Sequence, residues 1–338
     1  MFFGMLISGM LLMIGLGILD SVNNIDKDIK NTYKSQHIYA FESELKYDDH
    51  PNGETYLEAI ALAYNDDDFL KINLRFVDEN FEGIIQRNKK TKEKVDYSDI
   101  VVSYSAAKHL GIKTGDEIKI VHKSLPFEDW TYEVKVISDY VLGDVIFLPK
   151  SLLIEEFNKT YNTNYQNIYN TIISDTALDG LEQADYIDIY DYLSDTIGQV
   201  LGAMLAAIFI IGISAVLVAI VLVYIIVDLV LEENKYNIAL FKMFGYSSAK
   251  VNSLILNGGI LFAGVGLALS YPLDLLFIGY ILNQFTQGMS LMVNPVISWL
   301  TALIAFLTAA TVYGLSRALA ARRIAKVPIG EALKNNEQ

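Results

Sequence analysis

The sequence predicts an α-helical membrane protein of four spans, with an α+β extracytoplasmic domain placed between spans one and two. Three observations carry that reading. Four stretches are apolar on every face over about the width of a bilayer. The charge is concentrated in one long segment between the first two of them. That segment holds short alternating runs that end at glycine or proline.

A helix rises about 1.5 Å per residue and the hydrocarbon core is about 30 Å thick, so a span needs roughly 20 apolar residues. Residues 2–19 hold no charged side chain, and 201–227 meet their first charge only at Asp228; 255–282 and 296–315 complete the set. The buried helix of a soluble domain is rarely apolar all round for so long. Past the first span the apolar positions continue as Val22, Ile25, Ile29 and Tyr33, spaced three and four apart. That pattern reads as one helix leaving the bilayer as a stalk rather than as a cleaved leader, and no small-x-small cleavage site follows Leu19. A second stalk runs from Ile189 through Tyr192 and Ile197 into span two.

The expected divisions are a first span and stalk (1–33), the external domain (34–188), the second stalk and span (189–230), a cytoplasmic loop (231–254), the third span (255–282), a short external loop (283–295), the fourth span (296–318) and a cytoplasmic tail (319–338). Orientation follows from the short connections. Lys235, Lys242 and Lys250 lie in the loop after span two, and Arg317, Arg322, Arg323, Lys326 and Lys334 lie in the tail. Residues 283–294 carry no charge at all. Basic residues stay inside, which predicts a multi-pass protein of the bacterial cytoplasmic membrane with its C-terminus in the cytoplasm.

The formal charge of −14 belongs to the inserted segment, where residues 21–200 hold 33 acidic and 18 basic residues. A nucleic-acid partner needs a clustered basic face, and the sequence offers none. With no cysteine in the chain, disulfides and thiolate metal sites are excluded. Within the spans, Gly259 with Ala263 and Gly266 with Ser270 are four apart, a spacing that lets helices approach closely. Pro272 predicts a kink in span three. Asp274 is the one acidic side chain well inside a span and is the intramembrane candidate site; the bland alternative is a carboxylate solvated near the external end or paired locally.

In the external segment, residues 118–121 and 132–136 alternate as strands do, and 145–148 form a short apolar run closed by Pro149. Residues 105–110 read as a helical turn ending at Gly111, with Thr114-Gly115-Asp116 turning into the next strand. Ser105 to Lys108 matches S-x-x-K, and Lys113-Thr114-Gly115 matches K-T-G, both fragments of penicillin-recognising serine enzymes. They stand a few residues apart with no S-D-N element, so the match reads as chance. His37, His50, His109 and His122 lack metal-ligand spacing, and Asp66-Asp67-Asp68 reads as a solvated loop. No catalytic site, cofactor or metal is predicted, and no Walker A sequence occurs.

The loop Glu232-Glu233-Asn234-Lys235-Tyr236-Asn237-Ile238-Ala239-Leu240-Phe241-Lys242-Met243-Phe244-Gly245 resembles the signature after the second span of FtsX-like permeases, the membrane subunits of MacB-type ABC transporters. The tail from Ala321 to Lys334 resembles that family's closing motif, residues 101–120 and 132–149 resemble its external domain, and the four-span layout matches throughout. One departure is Asn237, where the family has its second glutamate. The resemblance implies a separate cytoplasmic ABC ATPase as partner, a second permease half or a homodimer, and nucleotide-driven motion passed outward to move or signal a lipid, lipoprotein or peptide. The chain itself then reads as the C-terminal half of a longer permease, or as one lacking a few leading residues. On this reading Glu233, Lys235, Leu240, Phe241, Lys242, Phe244 and Gly245 form the ATPase-coupling element, with Gly245 capping a docking helix in a left-handed conformation. The competing classes are an ATP-independent sensor or scaffold with an external ligand-binding domain, and a membrane-anchored enzyme.

Overall fold

The computed structural model describes residues 2–41, 45–47, 52–66, 68–122, 125, 129–192, 228–286 and 292–326, with scattered positions between 195 and 225. Most of the expected second span and the end of the tail lie outside them. The chain divides into two compact units, Met1–Asn23 with Leu201–Leu282 and Asn294–Gln338, and Asn24–Val200 with Asn283–Val293. The division falls inside helix α1, which runs from Phe2 to Thr32.

The first unit is helical. Besides the first part of α1 it holds α4 (Lys235–Met243), α5 (Ser248–Thr286, up to Leu282) and α6 (Trp299–Lys326). Two helices among the described residues are long and apolar enough to cross a membrane, Met5–Thr32 and Gly264–Gln284, and a shorter apolar helix covers Trp299–Leu315. Helix α5 begins well before the expected third span and continues through Pro272.

Small residues set how α1 and α5 meet. A Cβ on Gly266 would lie 2.6 Å from the Phe2 carbonyl oxygen, one on Gly9 2.6 Å from Ser270 Oγ, and one on Gly17 2.6 Å from Ile278 Cδ1. Residue numbers rise together on both helices, so they run in the same direction. Positions 266, 270, 274 and 278 form one stripe at four-residue spacing, the close approach that small residues permit. Gly259 and Ala263 have side-chain positions outside the described residues. At the far end of this seam the Ser298 N–H donates to Asp20 Oδ2 (2.7 Å), the Val296 N–H donates to Ser21 Oγ (2.9 Å), and Ser298 Oγ accepts from the Thr301 N–H to start α6.

The second unit is an α+β domain built on a ten-stranded mixed sheet. Its strands are β1 (His37–Ala40), β2 (Glu54–Asn65), β3 (Asp68–Val77), β4 (Val101–Val102), β5 (Glu117–His122), β6 (Trp130–Glu133), β7 (Val136–Ile137), β8 (Val145–Pro149), β9 (Thr171–Ser174) and β10 (Asp185–Asp188); α2 (Tyr104–His109) and α3 (Lys150–Tyr161) complete it. The main order is β10-β1-β9-β2-β3-β8-β4-β7, with β5 pairing β2 and β6. The β3–β8 and β4–β7 pairs are parallel and the others antiparallel. Alternate residues of β2 and β3, from Leu57 to Ala63 and from Ile72 to Phe76, face the core, which Ile118, Ile120, Ile146 and Leu148 extend and Leu153 and Phe157 of α3 close.

The expected single strand over 132–136 is instead two. β6 pairs with β5, then the chain bends at Val134, whose N–H donates to the Asp116 carbonyl (2.8 Å), and β7 pairs with β4. Asp66 has φ +52° just past the end of β2 and Asp68 pairs with Asn65 as the first residue of β3, so the acidic run read as a loop is partly strand; Asp67 lies outside the described residues.

Candidate functional site

The expected coupling element folds as α4 and its C-terminal cap. Gly245 has φ +82°, its N–H donates to the Lys242 carbonyl (3.0 Å), and the Tyr246 N–H reaches back to the Phe241 carbonyl (3.1 Å). These two bonds form a Schellman cap, whose left-handed position favours glycine. The apolar contact that accompanies such a cap is present too, since the Phe241 and Tyr246 rings meet edge to face at 5.7 Å. Phe241 is therefore half-buried and helps to hold the helix end.

The solvent-facing stripe of α4 consists of Tyr236, Leu240, Met243 and Phe244, at the i, i+4, i+7, i+8 spacing of one helix face. Phe244 is 71% exposed and Met243 52%. The opposite face carries Ile238 and Ala239, both buried. Glu233 and Lys235 are exposed beside the stripe and Lys242 is half-buried. Met243 and Tyr236 join the surface that the sequence assigns to Leu240, Phe241 and Phe244; placing them needed only the helical phase. Asn237, which stands where the resembled family has a glutamate, is exposed and donates weakly to Asn234 Oδ1 (3.5 Å).

Asp274 lies on the α5 stripe between Ser270 and Ile278, both of which pack against α1. It is 0% exposed, and among the described residues neither carboxyl oxygen has a hydrogen-bond partner. Buried polar groups without partners are uncommon enough to require a reason.

In the second unit the sequence had singled out Ser105 and Lys108. Ser105 is buried with its hydroxyl on the Asp144 carboxylate, which also holds His109 Nδ1 at 2.9 Å, while Lys108 points to solvent. Ser105 and Asp144 are both buried, so the hydroxyl and the carboxylate it meets are closed to a substrate and join α2 to the start of β8.

A polar cluster that sequence reasoning missed lies where the chain enters this unit. Tyr33 closes α1, and its hydroxyl meets the Tyr140 hydroxyl at 2.7 Å. Arg75 Nη1 donates to both, at 3.4 and 3.5 Å, and its Nε donates to Glu58 Oε2 at 3.0 Å. Burial, then the neighbouring Tyr33, pushes the Tyr140 hydroxyl well above the usual tyrosine range. The other segments that enter the unit meet here too: Tyr190 Oη donates to the Tyr33 carbonyl (2.7 Å), and the Met292 N–H donates to the carbonyl of Val141 (2.9 Å). Only Tyr33 had a sequence signal, as the last apolar position of the stalk pattern.

Residues 208–329 match the family model described as FtsX-like permease C-terminal, a match over less than half of the chain. No curated protein matches the chain. Among solved structures, the extracellular domain of the noncanonic ABC-type transporter YknZ from Gram-positive bacteria is similar over 53% of this chain and 83% of that one, at 12% identity and a TM-score of 0.25.

Proposed function

We propose, from the premise that residues 208–329 are an FtsX-like permease region, that this chain is the membrane subunit of an ABC transporter and passes motion from a separate cytoplasmic ATPase to its external domain. The observation that carries the reading is the exposed stripe of α4 within the matched region. A capped helix that shows water Met243, Phe244 and Tyr236, with Leu240 half-buried between them, is suited to a groove on another protein, because aromatic and methionine side chains are enriched at such contacts. Glu233 and Lys235 beside it suit a polar rim. The chain then lies in the cytoplasmic membrane with several spans and an inner C-terminus, works with a second permease half or as a homodimer, and moves or signals a lipid, lipoprotein or peptide. The hydrogen bond between Met292 and Val141 supports this orientation, since it puts the uncharged loop after α5 on the same side as the α+β domain.

Met243→Asp with Phe244→Asp tests the reading. A carboxylate at the centre of a desolvated contact weakens it by about 2 kcal/mol or more. The double variant is expected to insert and fold normally, yet to lose co-purification with the ABC ATPase and the permease-dependent rise in ATP hydrolysis. Normal capture and stimulation would remove α4 from the contact and favour a sensor that needs no ATP.

A further inference from the structure

The sheet of the α+β unit has a gap on one edge of β2. Residues 54–56 pair with β9 and residues 61–64 pair with β5, and no described strand borders residues 57–60 on that side. Asn170 stands in for one: its Oδ1 accepts from the Glu58 N–H (2.8 Å), and its Nδ2 donates to the Glu58 carbonyl (2.9 Å). A cleft of about 1490 Å³ opens here, larger than the roughly 300–1,000 Å³ of ordinary small-molecule sites. The partly exposed Leu45, Leu125 and Ile60 and the rings of Tyr47, Tyr161 and Tyr192 stand on its lining, with the buried Leu153 and Phe157 of the core behind them.

The chemistry of the lining selects the occupant. The domain is strongly acidic, yet among the described residues the only charges on the cleft wall are Glu58 and Arg75, which neutralise each other at 3.0 Å. The other polar side chains that are not tyrosines are also engaged: Asn73 donates to Glu58, Thr163 to Asn158, and Thr171 to Asn170. A peptide laid in the cleft would bury its own N–H and C=O groups beside a wall whose polar side chains are already bonded to each other. A hydrocarbon chain has no such groups. The tyrosines give the lining an apolar body with a polar tip, which suits the junction between a buried tail and a wet headgroup.

We infer that this cleft binds the acyl tail of a lipid. The inference deepens the proposed function by naming a ligand class for the external unit, and its test needs no ATPase. The full chain in proteoliposomes is irradiated with palmitate that carries a diazirine near its methyl end, and the labelled peptides are mapped. Label is expected on residues 41–47 or 153–165 as well as on the spans. Excess unlabelled palmitate should remove it from those peptides, and an unacylated apolar peptide should not. Ile60→Asp and Tyr161→Asp, at positions 56% and 52% exposed and so tolerant of change, should each lower cleft labelling about tenfold and leave span labelling constant. Label confined to the spans, label indifferent to both substitutions, or equal competition by the unacylated peptide would each overturn the assignment, the last in favour of a peptide. If cleft labelling behaves as expected while ATPase capture fails, the lipid site stands and the transporter reading falls.

Discussion

Two ionisable side chains are enclosed by this protein in opposite ways. Lys150, the first residue of α3 in the α+β unit, is 2% exposed, and its ammonium meets the Thr55 carbonyl (2.7 Å), Thr55 Oγ1 (2.9 Å), Asp78 Oδ2 (2.7 Å) and Asn167 Oδ1 (3.2 Å). Asp274, in the helical unit, is more deeply buried and has no such partner. The first charge joins a helix start to β2, to the segment after β3 and to the loop before β9. Among the described residues the Asp274 carboxyl joins nothing. A buried charge with a full oxygen shell is explained by folding. One without a shell in a membrane helix is a functional candidate by default.

Lys150→Met should give the largest effect. It leaves the Thr55 carbonyl and the Asn167 amide without their donor, at a cost of about 3 kcal/mol to the α+β unit. Asp78 is largely exposed and returns to water. Denaturant unfolding followed by the fluorescence of Trp130, in a background where Trp299 is replaced by Phe, should show the lower midpoint. An unchanged midpoint would mean that the oxygen shell contributes nothing net, and the contrast with Asp274 would lose its force.

Asp274→Asn keeps the shape and removes the acid. Since no hydrogen bond is lost, thermal stability in detergent should hold or rise, the opposite sign from Lys150→Met. Stimulation of the partner ATPase should fall several-fold, as expected of an intramembrane acid kept for function. A drop in stability would reveal a structural partner, and unchanged stimulation would make the residue merely tolerated.

The smallest effect belongs to a surface charge. Lys34 and Lys94 donate to Glu82 at 2.8 and 3.0 Å and hold its carboxyl at about 2, well below the usual carboxylate range. Its contribution is therefore present above the unfolded value near 4.5 and is lost as pH falls toward 2. Glu82→Gln should flatten the acid limb of the stability curve slightly in that window, an effect that salt erases because the group is exposed. A change as large as that at Lys150 would place Glu82 among the enclosed charges rather than outside them.

Length and apolarity in the sequence point to the long apolar helices α1 and α5, and Gly245 with the helical phase points to the capped helix α4. The sequence did not disclose the longest strand. Residues 54–65 of β2 include three alanines, which favour helix by propensity and pack here on the core face of the sheet. Arg75 was equally silent, since it reads as an exposed cation until β3 pairs it directly across from Glu58. Phe241 and Phe244 looked equivalent in sequence; only the cap geometry separates the ring that holds the helix end from the one that faces water. The gap in β2 is visible only once two different strands are seen to share one edge.

The Tyr33 cluster gives the domain a pointer. Glu58 and Arg75 mark its root on β2 and β3, and the hairpin continues from there to Asn65 and Asp68, where Phe69 lies exposed against Tyr64. Seven residues at about 3.3 Å each set the tip about 23 Å from the root, so a rigid tilt of about 5° would swing it by about 2 Å. A rearrangement of hydroxyls too small to notice at Tyr33 would then be legible at Phe69 as a displacement wider than a hydrogen atom.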